Sequence, residues 1–201
     1  MTAPALKLPP AATLDDLLAI PEMVRRHELI DGELREKAAT SGKHGAAQSN
    51  LSIAVAPFRR RPGGRWPGGW WFATETEVYL DEANTFRPDV SGWRRERMPE
   101  SPDGTPILLR PDWVCEILST NKRHDLIRKK RVYHRSQVPH YWIIDPVEET
   151  QSVYRWTPDG YLELLMAERG ERVRAEPFEA IPLLVGFLFG DDDDEAAGEP
   201  A

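Results

Sequence analysis

One acidic residue in the middle of an apolar stretch is the first candidate for chemistry in this sequence. Glu116 lies within residues 113–118, a short apolar run of the strand type. An ionised carboxylate inside a buried strand is costly unless it is paired or binds a metal. Asp89 stands at the start of another short apolar run, and Lys129 and Lys130 follow downstream in a basic segment. Two acids on neighbouring strands beside a lysine are suited to metal-dependent cleavage of phosphodiesters.

That reaction needs a nucleophilic water, a counter to the developing negative charge, and help for the leaving oxygen. Two carboxylates can hold one or two Mg²⁺ ions, because this hard cation prefers oxygen ligands, and Mn²⁺ can take the same place. A lysine can orient or activate the water, or stabilise the transition-state charge. We therefore predict that Asp89 and Glu116 lie on adjacent strands and are metal ligands, with a lysine as the third catalytic group.

The lysine falls in a basic helix that is predicted to follow the strand of Glu116. The Ser-Thr-Asn sequence at 119–121 offers N-caps for this helix, which runs to about Ser136. On a helical wheel Lys130 shares a side with the apolar residues of the helix, and Lys129 lies at the edge of that side. The wheel alone therefore leaves both lysines open.

Apolar periodicity and turn residues predict the other elements of the chain. They are a short helix from Thr13 to Leu17, a hairpin turning at Asp31-Gly32, a helix from about residue 41 to residues 57–61, a strand over 71–80, a turn at 81–84, a polar loop over 94–111, a buried strand over 138–145, a hairpin turning at 158–160, and a last apolar segment over 178–189.

Two further polar residues are weaker candidates for the site. Glu33 directly follows the Asp31-Gly32 turn, and a solvent-facing strand position explains it equally well. His44 falls in the first turn of the predicted second helix, where a capping or surface role is the simpler explanation. We retain both as candidate catalytic residues beside Asp89, Glu116 and the lysine.

Length and composition indicate one globular domain with polar ends. The 201 residues contain 40% hydrophobic and 29% charged residues, which is typical of a globular fold. Residues 1–12 are rich in Ala and Pro and are predicted to be flexible, and residues 191–201 form an acidic segment predicted to be disordered. The domain is then expected at 13–190. No apolar run is long enough to span a membrane, and the cytoplasm is the expected compartment.

The charges and aromatic residues bear on possible partners. The net charge is −7, but six acids of the C-terminal segment account for most of it, so the remainder is nearly neutral. Basic clusters at 59–61, 94–95 and 122–131 favour a polyanionic partner when taken together with the acidic pair. Trp66, Trp70 and Trp71 crowd the end of a Gly- and Arg-rich loop, where core anchoring or a dimer contact is favoured over base stacking. Cys115, the only cysteine, is expected to be a buried apolar residue and excludes an intrachain disulfide.

An ordered set of short segments resembles a known family. The order of Asp89, Glu116 and a lysine is similar to the PD-(D/E)xK nuclease superfamily, and the chain resembles its Uma2 family, also called DUF820, over residues 13–190. The segments are Glu-Leu-Ile-Asp-Gly-Glu-Leu at 28–34, His44 at the start of a helix, Arg-Pro-Asp-Val at 87–90, Glu-Ile-Leu-Ser at 116–119, the four-residue steps of Asp125, Lys129 and Tyr133, the strand at 138–146, and the hairpin between Tyr154 and Tyr161.

The resemblance implies an α+β (α/β) fold of the restriction-endonuclease type. It has an αβββαβ core with a central mixed β-sheet flanked by helices, and N-terminal and C-terminal β-hairpins. It also implies Mg²⁺-dependent cleavage of DNA. The residue two after Glu116 is Leu118 rather than lysine, a departure from the superfamily pattern. In chains of the Uma2 type the lysine lies on the following helix, and Lys129 has that spacing.

Three functions compete at this stage. The first is a DNA endonuclease acting as a homodimer, since two sites cut both strands of a duplex more easily than one. The second is a catalytically inactive protein of the same fold that serves as a nucleic-acid-binding or assembly module. The third is a hydrolase of other phosphoesters. An acid inside the strand of Glu116 favours the first, because a purely structural role does not require it.

Overall fold

The structure is a computed structural model that describes residues 11–119 and 123–192, without the side chains of residues 123–125. Most of the predicted flexible N-terminus, two of the three predicted caps of the basic helix (Thr120 and Asn121), and residues 193–201 of the acidic segment lie outside the described part. Within the described part, the backbone N–H of Ala12 donates to Gly32 O, and Asp191 forms an ion pair with Arg169.

Strands dominate the chain. In order they are β1 (His27–Ile30), β2 (Glu33–Glu36), β3 (Trp70–Thr74), β4 (Val78–Asp81), β5 (Asn84–Phe86), β6 (Val90–Arg94), β7 (Trp113–Ile117), β8 (His140–Asp145), β9 (Thr150–Thr157), β10 (Gly160–Glu168), β11 (Arg172–Val173) and β12 (Leu183–Leu184).

The helices are α1 (Leu14–Leu18), α2 (Gly42–Ala54) and α3 (Arg123–Arg135), with short 3₁₀ turns at Glu22–Val24, Ala56–Arg59 and Val185–Phe189. The predicted second helix is thus an α-helix that ends at Ala54 and continues as a 3₁₀ turn. Thr13 caps α1 through a capping box with Asp16, whose side chain accepts the Thr13 backbone N–H at 2.8 Å. In the described residues, no helix is long and apolar enough to cross a membrane.

A six-stranded mixed sheet forms the centre, in the order β10-β9-β8-β7-β6-β3. The pair β7–β8 is parallel and is connected through α3, and the other pairs are antiparallel. The order α2, β3, β6, β7, α3, β8 is the predicted αβββαβ core, and β9–β10 is the predicted C-terminal hairpin. The fold predicted from the sequence is therefore confirmed.

A smaller sheet, in the order β2-β1-β5-β4, packs on the side of α3. Its first hairpin turns at Asp31 and Gly32, which have φ angles of 48° and 75°. Two consecutive positive φ values belong to the type I′ turn, whose twist matches that of the flanking strands. This confirms the predicted N-terminal hairpin.

The two faces of the central sheet are covered by different helices. On one face Leu51 of α2 packs with Trp113, Cys115 and Trp142. On the other, Val132 and Tyr133 of α3 pack with Val114 and Tyr141. Alternating residues of β7 therefore point to opposite helices, as the two-residue period of a strand requires. Cys115 is fully buried and unpaired, as predicted.

One predicted element was wrong. Residues 71–80 do not form a single strand: β3 ends at Thr74, and β4 begins at Val78 in the other sheet. Glu75 has a φ of 53°, and its carbonyl oxygen accepts from Arg87 Nε at 3.0 Å and Arg87 Nη2 at 2.9 Å. The guanidinium group thus holds a sharp change of direction that the alternating residue pattern does not reveal.

The tryptophans near the basic loop divide into two kinds. Trp70 is buried in the core beside Phe178, which is the anchoring role favoured from the sequence. The guanidinium of Arg95 lies 3.4 Å from the ring centroid of Trp71. Trp66 is 44% exposed on the rim of an apolar cavity of about 310 Å³ that also has Ile53 in its wall.

Candidate active site

Asp89 lies directly before β6 and is fixed against the neighbouring strand β7. In the antiparallel pairing of these strands Val90 lies opposite Cys115. Extending that register by one residue puts Asp89 opposite Glu116. The backbone N–H of Ile117 donates to Asp89 Oδ2 at 2.6 Å, and Asp89 is only 1% exposed. The two acids predicted from the sequence therefore lie at adjoining positions of adjacent strands.

The second oxygen of Asp89 faces two cationic or basic groups. Lys37 Nζ donates to Asp89 Oδ1 at 2.7 Å, and His44 Nε2 lies 3.3 Å from the same oxygen. Burial alone would raise the pKa of Asp89, but His44 and Lys37 outweigh it and hold the pKa below its ordinary value. Asp89 is therefore a carboxylate at neutral pH.

Glu116 has the opposite electrostatic character. Its pKa is raised, because burial disfavours the charged form and outweighs the attraction of Lys129, and Asp89 adds repulsion. Lys129 Nζ lies 3.1 Å from Oε1 and 3.3 Å from Oε2, and the Tyr133 hydroxyl donates to Oε1 at 2.6 Å. One acid held ionised beside one with a raised pKa is a common arrangement in catalytic pairs.

Of the two candidate lysines, Lys129 is the one that contacts Glu116. Lys129 is 5% exposed, and its ammonium also lies 2.7 Å from Glu28 Oε1. Burial lowers the pKa of Lys129, but the carboxylates of Glu116 and Glu28 raise it by more. The pKa of Lys129 therefore lies above its ordinary value. Lys130 lies 3.4 Å from the ring centroid of Tyr154 instead. The helical wheel could not decide which lysine lies near Glu116, and the structure shows that it is Lys129.

Glu28 belongs to the same cluster, although the sequence analysis did not assign it a role. It lies on β1, is 2% exposed, and accepts the backbone N–H of Arg87 at 2.7 Å through the oxygen that contacts Lys129. Glu28 directly precedes Leu29 and Ile30, so it stands at the start of a short apolar run, as Asp89 does. That position is the signal from which the sequence could have identified it.

Lys37 and Glu75 are two further residues that the sequence did not reveal as part of the site. Lys37 Nζ donates to Glu75 Oε2 at 2.7 Å and to the carbonyl oxygen of Arg87 at 2.8 Å, in addition to Asp89. Lys37 follows β2 and Glu75 follows β3, so both lie in connections between elements. No periodic pattern marks such positions, and their contacts depend on the packing of the two sheets.

His44 is the third residue of α2, and its backbone N–H donates to Ser41 Oγ at 3.2 Å, which caps the helix. The imidazole is 3% exposed. Neither ring nitrogen has an aligned hydrogen-bond partner within the described part of the chain, although Nε2 faces Asp89 Oδ1. Of the two weaker candidates, His44 therefore lies in the cluster.

Glu33 lies outside the cluster. Its side chain is 57% exposed and pairs with Arg35 and Arg128. The arginines lower the pKa of Glu33, as expected for an acid in surface ion pairs. This is the solvent-facing position considered from the sequence, and a catalytic role for Glu33 has no geometric support.

The donor atoms of the cluster are suited to a divalent cation. His44, Glu75 and Asp89 each offer one ligand atom, and these atoms lie within 4.8 Å of one another. Carboxylate oxygens suit Mg²⁺ and Mn²⁺, and an added imidazole favours a transition metal over Mg²⁺. Beside Glu116 and Lys129 a cavity of about 30 Å³ also reaches Glu28. A cavity of that size can hold one water molecule.

Comparison with known proteins identifies the family. The family model of Uma2, described as "Putative restriction endonuclease", matches residues 14–185. The chain belongs to the Uma2 family. This agrees with the resemblance seen in the ordered segments around Asp89 and Glu116.

A solved structure of a Uma2 relative has the same fold. It is the crystal structure of a "putative nuclease belonging to DUF820" from Anabaena variabilis ATCC 29413. The two chains share 25% sequence identity with a TM-score of 0.70, and the alignment covers 88% of this chain and 97% of the other. No curated protein matches the sequence.

Proposed function

We propose that this Uma2 protein is a metal-dependent endonuclease that hydrolyses phosphodiester bonds of DNA. One observation carries the proposal: Asp89 and Glu116 adjoin on neighbouring strands, with the Lys129 ammonium 3.1 Å from Glu116. The family description, "Putative restriction endonuclease", and the description of the Anabaena variabilis structure as a "putative nuclease" support the reaction class. DNA as the substrate, Mg²⁺ or Mn²⁺ as the cofactor, and the roles of the residues are parts of the proposal.

Each residue has a role that its environment supports. Asp89 remains ionised and would be a ligand of the cation, and Glu116 would be the second ligand. A bound Mg²⁺ or Mn²⁺ supplies Lewis acidity that lowers the pKa of a water and offsets charge on the phosphate. Lys129 carries a fixed positive charge beside Glu116 and would hold the attacking water or stabilise the transition state. The His44 imidazole lies 3.3 Å from Asp89 Oδ1 and helps to keep that carboxylate ionised, and Glu33 has no role in the reaction.

The direct test is cleavage of supercoiled plasmid DNA with Mg²⁺, with Mn²⁺ and with EDTA. Wild type should nick and linearise the plasmid only with a metal. Asp89→Asn, Glu116→Gln and Lys129→Met should each lose at least about a hundredfold in rate. Glu100→Gln, an exposed acid in the long loop, is the matched control and should cut like wild type. Equal cleavage by Asp89→Asn and wild type would exclude this centre.

A catalytically inactive binding module is the second candidate, and one observation favours it. The ammonium groups of Lys37 and Lys129 each contact two carboxylates, so every one of these four acids has a cationic partner without a metal. A module of this kind would retard DNA in a gel without cutting it under any metal condition. The same preparations used for the cleavage test distinguish the two functions.

The proposal includes a homodimer. Trp66 and Ile53 are 44% and 58% exposed at the edge of the large apolar cavity, an arrangement that suits a contact between copies. Light scattering at micromolar concentration should give twice the chain mass of 22.9 kDa. A mass of one chain would remove the dimer from the proposal without affecting the active site.

A further inference from the structure

The ammonium group of Lys37 is held in a cradle of three oxygen atoms. Its Nζ lies 2.7 Å from Glu75 Oε2, 2.7 Å from Asp89 Oδ1 and 2.8 Å from the carbonyl oxygen of Arg87. Two carboxylates and a backbone carbonyl are also the ligands that proteins offer to a hard metal ion. The position of Nζ is therefore that of a cation in an oxygen-rich site.

An unpartnered imidazole faces the same cradle. His44 is 3% exposed, its Nε2 lies 3.3 Å from Asp89 Oδ1, and neither ring nitrogen has an aligned hydrogen bond among the described residues. A buried ring nitrogen without a partner is costly. Lys37 cannot donate to the lone pair of the ring, because the three N–H groups of its ammonium are taken up by the three oxygens. A metal ion would use the lone pair that Lys37 leaves unused.

We propose that His44, Glu75 and Asp89 form a divalent-cation site for Mn²⁺ or a similar transition metal, which the Lys37 ammonium occupies when no metal is bound. This site differs from the one proposed between Asp89 and Glu116, since it uses Asp89 Oδ1 and excludes Glu116. It deepens the proposed nuclease function through the shared Asp89. Binding of metal can nevertheless be measured without DNA.

The site has room for the exchange. A cavity of about 290 Å³ adjoins Lys37 and is also lined by Arg26, residues 38–40, Gln48, Glu75 and Arg87. Lys37 lies in the connection between β2 and α2, and its side chain is 11% exposed. Rotation of this side chain into the cavity would free the cradle without moving a strand, because the ligands lie on other elements.

The ligand set predicts the preference among metals. Carboxylate oxygens suit both Mg²⁺ and Mn²⁺, whereas an imidazole nitrogen is a ligand of transition metals and Mg²⁺ retains waters instead. Loss of the His44 imidazole should therefore weaken the binding of Mn²⁺ and change the binding of Mg²⁺ little. The Lys37 ammonium should weaken the binding of both ions, since two cations cannot occupy the cradle at once.

Competition sets the size of the expected effect. If the ammonium occupies the cradle in about nine molecules of ten, removing it raises the apparent affinity for metal about tenfold. Lys37→Met removes the ammonium, and Lys37→Gln removes the charge but keeps a hydrogen-bond donor for the acids. Lys43→Met, on the exposed side of α2, is the matched control.

The experiment is titration of the full chain with Mn²⁺ alone, followed by the electron paramagnetic resonance signal of the free ion. Lys37→Gln and Lys37→Met should bind about tenfold more tightly than wild type, and Lys43→Met should bind like wild type. His44→Gln and Glu75→Gln should each weaken binding at this site, while Glu116→Gln, which alters only the Asp89–Glu116 site, should retain the ion that is coupled to nitrogen. Pulsed measurements on the bound ion should detect coupling to an imidazole nitrogen, which His44→Gln should lose. Circular dichroism confirms that each variant is folded.

Several outcomes would overturn the site. Unchanged Mn²⁺ affinity in both folded Lys37 variants would make Lys37 a structural ion-pair partner. Loss of all binding in Glu116→Gln, with normal binding in His44→Gln, would assign the ion to the Asp89–Glu116 pair alone. Bound Mn²⁺ without nitrogen coupling would exclude His44 as a ligand. Because no DNA is present, an inactive nuclease that still binds Mn²⁺ through His44 would refute the proposed reaction and support this site.

Discussion

Glu28 and Glu116 lie on strands of different sheets and share the ammonium group of one lysine. Lys129 Nζ is 2.7 Å from Glu28 Oε1 and 3.1 Å from Glu116 Oε1. All three side chains are less than a tenth exposed, so neither carboxylate can be solvated if the lysine is removed. The pair makes Lys129 important for stability as well as for the proposed reaction.

Lys129→Met should lower the free energy of unfolding by about 3–5 kcal/mol at pH 7, because it leaves two buried carboxylates without their cation. The measurement is urea denaturation. Lys130→Met is the matched control: it removes only the contact with the Tyr154 ring and should cost about 1 kcal/mol or less. A larger loss in Lys130→Met than in Lys129→Met would contradict the assignment of the two lysines.

Asp89→Ala should lower the free energy of unfolding by about 3 kcal/mol, because it leaves the buried Lys37 ammonium short of a partner and the Ile117 N–H without an acceptor. Any relief of repulsion with Glu116 is smaller than this loss. The same denaturation assay measures it. Glu100→Gln should remain within about 0.5 kcal/mol of wild type. An Asp89→Ala protein as stable as wild type would show that the cluster does not stabilise the fold.

Asp89 should also contribute to acid sensitivity. Its folded-state pKa is lowered from 3.8, so the stabilisation from its ionised form is present above pH 3.8 and is lost as the pH falls toward the lower folded-state value. The stability difference between wild type and Asp89→Asn should therefore shrink below pH 4. Denaturation curves between pH 7 and 2 would record it. A difference that stays constant would mean that Asp89 is not held ionised in the folded state.

His140 should act in a separate pH range. Burial, with a contribution from Arg94, lowers its pKa from 6.5 to about 4. The folded state therefore resists protonation, and stability falls as the pH drops from 6.5 to about 4, by at most about 3 kcal/mol. His140→Gln should lose less stability over this range than wild type. Equal losses in the two proteins would place the titrating group elsewhere.

Metal should stabilise the folded chain. A divalent ion that binds only the native state raises the free energy of unfolding by about 2.7 kcal/mol at a hundredfold excess over Kd. Thermal melts with increasing Mg²⁺ or Mn²⁺ should show the rise for wild type and no rise for Asp89→Asn. A rise that survives in Asp89→Asn would locate the ion away from both proposed sites.

The parts of the site that the sequence predicted are those with a local pattern. Glu116 was identifiable because an acid interrupts an apolar strand, and the Asp31-Gly32 turn defined the first hairpin. Lys129 required the family resemblance, since the helical wheel left Lys130 equally open. Glu116 and Lys129 lie within regular elements whose period can be read along the chain, and the turn residues are of the types that favour a hairpin.

The parts that the sequence did not predict depend on packing between distant segments. Lys37 follows a strand of the small sheet and contacts Asp89, which precedes a strand of the central sheet. Glu75 has a left-handed backbone conformation at a position where the alternating pattern had predicted a continuous strand. That conformation is held by the guanidinium group of Arg87. Contacts of this kind leave no periodic trace, because they arise only when the folded sheets meet.

The attachment of the small sheet by Glu28 has a consequence for how the molecule opens. Separating β1 from the body would expose the buried charges of Lys129 and Glu116 together, so this hairpin cannot fray independently in the way that an ordinary terminal hairpin does. Its amide protons should exchange with solvent as slowly as those of β7, in a single unfolding unit. An N-terminal hairpin is thereby as integral to the cooperative core as the central strand itself.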